Sequence, residues 1–401
     1  MSASSQSQHD QPGGLDISLL LPSNLLYTQE SIPKYRPGGY HPVTLGDTFK
    51  NERYKVYHKL GWGGYSTVWL VKDNRRVLLD RWASLKILTA DAPVSRELQN
   101  LKLLQNQGGL GSNFLVELLD EFTHTGPNGV HQCLVFELLG PSVQIVLADY
   151  KTDQEKLEPE FVFRFATQLL KAVKFLHSVG MCHGDINGQN IAFTCAKIAQ
   201  ATEEELFEVL GSPEIEPLAR IDDIPLGSGL PTELVKAAEW VDWVDEDEED
   251  IRLLDFGESF LHGEEPAKLA QPGSLRVPET IFTDSFDYRV DLWRAGSMIY
   301  SFIFASWPFW YLGDDEVLIF QMIDFLGSLP TEWEAQWELM LDNSSHDLRQ
   351  YEDHGTSTLE QKFAGVDSAF KPLLCVIQGL MRFLPSDRLT AEQALDLIVD
   401  P

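Results

Sequence analysis

Four short segments, met in order along the chain, carry the residue types that a magnesium-assisted phosphoryl transfer needs. That chemistry requires a triphosphate covered and neutralised, a cation held, and a hydroxyl aimed in line. Gly61-Trp62-Gly63-Gly64-Tyr65-Ser66-Thr67-Val68 offers the cover, because Gly61, Gly63 and Gly64 permit a tight hairpin whose backbone approaches phosphates without a Cβ. Lys86 closes Ala83-Ser84-Leu85-Lys86 and offers a grip on the α- and β-phosphates. An unpaired lysine on a buried strand is costly, and Glu97, on the following helix, is its natural partner. In His183-Gly184-Asp185-Ile186-Asn187-Gly188-Gln189-Asn190, Asp185 would accept the hydroxyl proton and Asn190 would hold a metal ion. Asp255 of Asp255-Phe256-Gly257 would bridge magnesium to the phosphates. Alone, each segment has a plainer reading: a β-turn, two surface charges, a chance tripeptide. The ordered set does not.

Elements that could position these residues are legible in the periodicity. Tyr54–Leu60 alternates apolar and polar residues, and Val68–Val71, Ala83–Leu88 and His131–Leu138 read as further strands. Arg96–Gln105 has helical spacing through Leu98, Leu101 and Leu104, and Phe161–His177 sets Phe165, Leu169, Val173 and Leu176 on one face. Thr202 and Glu205 form a capping pattern that opens a helix to Leu210. Strands first and helices afterwards predict an α+β chain with two segregated lobes, as its 401 residues also predict. The boundaries expected are a disordered polar tail and lead-in over 1–39, a small β-rich N-lobe with hinge over 40–139, and a large helical C-lobe over 140–400. Two interruptions fall in the C-lobe: an insert over 195–250 before Asp255, and an insertion over 311–374. The first carries Trp240, Trp243 and the acidic run Asp245–Asp250, which reads as a solvated loop rather than a calcium site.

Composition narrows the partners. Sixty-one acidic residues against 31 Lys and Arg give a formal charge of −30, a field that repels nucleic acid and anionic membrane and attracts basic proteins. Cys133, Cys182, Cys195 and Cys375 form no C-x-x-C pair, so reduced thiols in the cytoplasm or nucleus are expected, not a disulfide or zinc framework. The first residues show no signal peptide. Ala295–Gly313 approaches spanning length, but Ser297, Ser301, Ser306 and Pro308 interrupt it, so a buried helix ending at Pro308 is expected and no membrane span.

Downstream, Val277-Pro278-Glu279 stands where an A-P-E tripeptide closes the activation segment of protein kinases, with Arg388 the candidate cation for a buried Glu279. Gly38-Gly39-Tyr40-His41-Pro42-Val43, Gly46-Asp47, Arg53-Tyr54, Lys59-Leu60-Gly61-Trp62-Gly63 and Ser66-Thr67-Val68-Trp69 resemble the entry to SR-protein kinases. Val135-Phe136-Glu137 followed by Leu139-Gly140 resembles that family's hinge, and the similarity runs from about Gly38 to Asp396. The resemblance implies a monomeric kinase fold that uses ATP and Mg2+ to phosphorylate Ser or Thr in basic, Arg/Ser-rich protein segments. It also implies Phe136 as gatekeeper, the backbones of Glu137 and Leu139 on adenine, Val68 and Ser84 above it, Ala192 below, and Asp291 bracing the catalytic loop.

Three positions depart from the family pattern. Gly184 replaces the Arg that reads a phosphorylated activation loop, Asn187 replaces the catalytic-loop Lys, and Pro272 falls where a Thr bonds the catalytic Asp. The first implies activity without loop phosphorylation. The other two remove electrostatic stabilisation and keep open a pseudokinase that binds nucleotide or a partner without catalysis. A small-molecule phosphotransferase fits less well, since Val277-Pro278-Glu279 and Arg388 belong to the protein-kinase pattern.

Overall fold

The computed structural model describes residues 16–75, 82–92, 96–240, 243, 248–346, 348 and 357–399. The chain folds as two compact units, one drawn from Met1–Val94, Glu117–Leu138 and Ala196–Trp243, the other from Ser95–Val116, Leu139–Cys195 and Val244–Pro401.

The first unit is built on a six-stranded antiparallel sheet. Its strands are β1 (Thr48–Phe49), β2 (Tyr54–Trp62), β3 (Ser66–Asp73), β4 (Trp82–Leu88), β5 (Leu118–Gly126) and β6 (Gly129–Glu137), in the order β1-β2-β3-β4-β6-β5. Tyr54, Val56, Trp69, Val71, Ala83, Leu85, Ile87, Cys133 and Val135 fill one core, on the period of two that places alternate side chains on one face. Burying each large apolar side chain contributes about 1.5–3 kcal/mol. The glycine-rich turn links β2 to β3, with Gly61 opposite Val68 and Trp62 opposite Thr67.

Two features of this unit differ from the sequence expectation. Within the 1–39 lead-in, the described residues fold from Ile17, and Leu20, Leu25, Leu26, Ile32 and Tyr35 share a second core with Tyr40, Leu218 and Leu234. The insert supplies the last two, so Ala196–Trp243 groups with the sheet although chain order sets it inside the helical lobe. Apolar residues in both polar-looking segments explain this: neither can bury them alone. The Glu203–Leu210 helix has the expected Thr202–Glu205 capping box, and Trp82 Nε1 donates to the Ala201 carbonyl at 2.8 Å. Lys59 is buried between the two segments, its ammonium bonded to Glu30 and, at 3.2 Å, to the Val235 carbonyl.

The second unit is mainly helical. Pro159–Ser178 starts with proline in its first turn, where the missing N–H costs nothing, and buries Phe165, Leu169, Val173 and Leu176 as its spacing predicts. Val290–Phe304 is buried from Val290 through Ile303, the pattern of a central helix. It ends at Ala305, three residues before Pro308. Among the described residues no helix is long and apolar enough to cross a membrane. The strands Leu139–Ser142, Ile191–Thr194 and Ile251–Leu253 form a small sheet that flanks the catalytic loop.

The Arg96–Gln107 helix, which the expected 40–139 boundaries place in the N-lobe, groups with this helical unit. Of the acidic run, Asp245–Asp247 lie outside the described residues. Its end is a loop with Glu248 and Asp250 exposed, as expected, but Glu249 is buried and accepts the Thr194 hydroxyl, and Asp250 accepts the Gln168 amide.

Candidate active site

The catalytic loop lies between Met181–Cys182 and Ile191–Thr194 and is tied from below by one carboxylate. Asp291, fully buried on the central helix, accepts the backbone N–H of His183 at 2.7 Å and of Gly184 at 3.0 Å. His177 Nε2 stands 3.2 Å from the same carboxylate. Burial would raise the Asp291 pKa, but these donors outweigh it and hold the group below the usual carboxylate value.

His183 then fixes Asp185. The Asp185 N–H donates to His183 Nδ1 at 3.1 Å, and His183 Nε2 faces the Leu254 carbonyl at 3.1 Å. A neutral ring protonated on Nε2 satisfies both, and burial, which lowers the His183 pKa, favours that form. Asn190 Nδ2 donates to the Asp185 carboxylate at 2.8 Å and to its carbonyl at 2.9 Å. Burial pushes the Asp185 pKa up against the pull of Arg294, His183 and the two asparagines, which makes it a stronger proton acceptor. Asn187 brings no charge to the place of the family's lysine. Its Oδ1 accepts Gln189 N–H at 2.8 Å and its Nδ2 donates to the Asp185 carbonyl at 3.1 Å, so it shapes the loop.

Asp255 has φ 65° and ψ 80°, a left-handed conformation that costs a non-glycine residue of order 1 kcal/mol and concentrates at functional sites. The Phe256 that follows is fully buried and packs edge-on to His183, at 5.0 Å between ring centroids. Asn100, on the Arg96–Gln107 helix, donates to the Phe256 and Ser259 carbonyls at 3.1 Å each, which fixes the helix carrying buried Glu97 to this turn. For a magnesium ion the donor chemistry fits: Asp255 offers carboxylate oxygens, and Asn190, whose amide nitrogen is committed to Asp185, offers its carbonyl. Lower in the unit, Arg388 holds Glu279 by two bonds of 2.8 and 2.6 Å, both side chains buried, as the sequence pairing predicts.

The nucleotide-facing candidates divide between the units. Gly61, Gly63, Gly64, Val68, Ser84, Lys86, Phe136 and Glu137 lie in the sheet unit, where Lys86 is the register partner of Val68 and Ser84 that of Phe136. Leu139 and Ala192 lie in the helical unit, as do Glu97, Asp185, Asn190, Asp255, Glu279, Asp291 and Arg388. The glycine turn is held by residues the sequence did not single out for it: Tyr40 Oη donates to the Gly63 carbonyl at 2.5 Å and Lys34 Nζ to that of Gly64 at 3.0 Å.

Sequence reasoning also missed Arg294 and Glu258. Arg294 is fully buried, with a guanidinium nitrogen 3.7 Å from Asp185 Oδ1. A signal existed, since a charge inside a strongly apolar segment such as Ala295–Gly313 and the turn before it must be paired. Glu258 has its pKa raised by desolvation and then by the charges of Asp185 and Asp255, which places a third carboxylate in their field.

A buried Asp under a His-Asp loop, an asparagine amide on the loop carboxylate, and an Asp on a left-handed turn follow the protein kinase pattern. The protein kinase domain model matches residues 54–199. A crystal structure of a kinase domain superposes with TM-score 0.59 at 16% identity, covering 89% of this chain and 97% of that one, which shows the fold alone. A serine/threonine protein kinase of Aspergillus fumigatus is 31% identical over 320 residues, 78% of this chain and 74% of that one. The serine/threonine-protein kinase SRPK of Physarum polycephalum is 26% identical over 408 residues, 92% of this chain and 90% of that one. SKY1 of Saccharomyces cerevisiae is 36% identical over 173 residues, 41% of this chain and 23% of that protein. The chain spans less than a third of the length of SKY1 and of three other curated relatives. It belongs to the serine/threonine protein kinases, on their SRPK-like branch.

Proposed function

We propose that the chain is an active protein kinase that transfers the γ-phosphoryl group of ATP, with Mg2+, to Ser or Thr in basic, Arg/Ser-rich protein segments. The observation that carries this reading is the loop geometry: Asp185 is oriented by Asn190 and His183 and its proton affinity is raised. Asp185 would take the hydroxyl proton, Asp255 and Asn190 would hold the metal, and Lys86 would grip phosphate. Bound magnesium supplies neutralisation of the charge that develops on the phosphates. The −30 charge favours basic substrates, and one relative, 36% identical over 198 residues, carries the name SRSF protein kinase 3. A monomer of the cytoplasm or nucleus is the setting this reading proposes.

The test is radiolabelled ATP with an arginine–serine peptide and the same peptide with Glu in place of Arg. Phosphorylation of the first, lost in Asp255→Ala, is the expected result. A preference for the acidic peptide would defeat the substrate assignment. No transfer to any peptide or protein substrate would leave the pseudokinase reading, which the loss of a cation at Asn187 favours.

A further inference from the structure

Three departures strip the neighbourhood of Asp185 of its usual partners: Gly184 has no side chain, Asn187 carries no charge, and Pro272 has no hydroxyl. Gly184 cannot be refilled locally. It has φ +78°, and a Cβ there would lie 2.6 Å from the Glu258 carbonyl. The cation arrives instead from the Val290–Phe304 helix. Arg294 donates through one guanidinium nitrogen to the Gly184 carbonyl and through the other to the Ala270 carbonyl at 2.7 Å, on the segment leading to Pro272. Its first nitrogen also stands 3.7 Å from Asp185 Oδ1, and its Nε has no hydrogen-bond partner among the described residues.

A guanidinium with none of its surface in water is costly unless a negative charge answers it, and two carbonyls do not supply one. Asp291 adds negative charge at longer range while its oxygens are bonded to His183, Gly184 and His177. Asp185 is the carboxylate within 4 Å of the guanidinium. A carboxylate has about four lone-pair directions, so an amide on Oδ2 and a cation beside Oδ1 fix its plane and leave capacity for a hydroxyl proton.

We propose that Arg294 is the positioning residue of Asp185: a buried cation from the central helix that orients the catalytic carboxylate and locks the Gly184 and Ala270 backbones around it, in place of the partners missing at positions 184, 187 and 272. The catalytic part of this inference rests on the kinase reading; the pairing itself does not.

The experiment has a kinetic and a thermal arm on the full chain. In the first, Arg294→Gln lowers kcat on a basic peptide about a hundredfold or more, the loss typical of a lost electrostatic donor, while KM for ATP stays within about threefold. Arg294→Lys, which keeps the charge, stays within about tenfold of wild type. Equal impairment of the two variants, or a kcat for Arg294→Gln within threefold of wild type, overturns the proposal. In the second arm, Asp185→Asn alone lowers Tm, because it strands the guanidinium. A carboxylate that served chemistry alone would leave Tm unchanged or raise it when neutralised, and that result overturns the pairing. The thermal arm decides should Arg294→Gln not fold. A wild type without transfer activity whose Tm falls with Asp185→Asn defeats the kinase reading and upholds the pairing.

Discussion

Arg388 and Glu279 lie 109 residues apart in sequence and meet through two parallel hydrogen bonds, of 2.8 and 2.6 Å, with neither side chain exposed. The arginine also donates to the carbonyls of Arg382, Phe383 and Arg289, so it joins the end of the activation segment to the chain's last helical region. Removing one partner of such a pair leaves an uncompensated buried charge. Glu279→Ala is expected to cost about 3–5 kcal/mol of stability, measured as a lower urea midpoint. A midpoint within error of wild type would show the pair to be solvated in solution.

The buried Lys59–Glu30 pair ties the lead-in to β2 and, through Val235, to the insert, and Tyr35 Oη donates to Glu30 at 2.6 Å. Glu30→Ala should destabilise by a similar 3–5 kcal/mol and expose the 196–240 region to protease. The double replacement Glu30→Leu with Lys59→Met should recover much of the loss, since apolar pairs of similar volume often match buried ion pairs. Failure of the double variant to exceed the single one in stability counts against the pairing.

Nucleotide binding follows from the proposed roles of Lys86 and Asp255. ATP with magnesium at about a hundred times its Kd should stabilise wild type by about 2.7 kcal/mol. The rise in Tm should be smaller in Lys86→Met and Asp255→Ala. Equal shifts in all three proteins would mean that the phosphates lie elsewhere.

A histidine cluster sets an acid limit on the sheet unit. His41, His124 and His131 lie within 4.6–5.1 Å of ring-centroid separation around His41, which is 7% exposed. Burial, then the charges of His124 and His131, push the His41 pKa down to about 3. A group depressed in the folded state binds its proton mainly when unfolded, so its stabilisation is complete above about pH 6.5 and lost as pH falls toward 3. Between pH 7.5 and 5.5 His41 should account for about 1.4 kcal/mol of lost stability. His41→Phe, which keeps the ring packing, should flatten this limb in a thermal-melt series; an unchanged slope would assign it to other groups.

Activity should be indifferent to phosphatase treatment, because Gly184 presents no cation to a phosphorylated loop and the Ala270 carbonyl is already held by Arg294. A kcat that drops several-fold after dephosphorylation would show that some other cation reads a phosphate.

Short-range patterns in the sequence determined a good part of this protein. The β2–β3 hairpin, the helices at Arg96–Gln107 and Pro159–Ser178 and the Thr202 cap follow from spacing and capping chemistry, which act over a few residues. His183, Asp185, Asn190 and Asp255 were legible because a motif fixes residue type at fixed offsets, and the structure joins the first three by hydrogen bonds. Tertiary structure alone decided the rest. Residues 196–243 fold with the sheet, not with their neighbours in chain order, because Leu218 and Leu234 need the apolar face of the lead-in to leave water. The helix bearing Glu97 belongs with the helical unit because Asn100 bonds the Phe256 turn, a contact 156 residues away in sequence. The cation beside Asp185 comes from residue 294, since a buried guanidinium is answered by whichever carboxylate lies near it in space, and no local pattern encodes that distance.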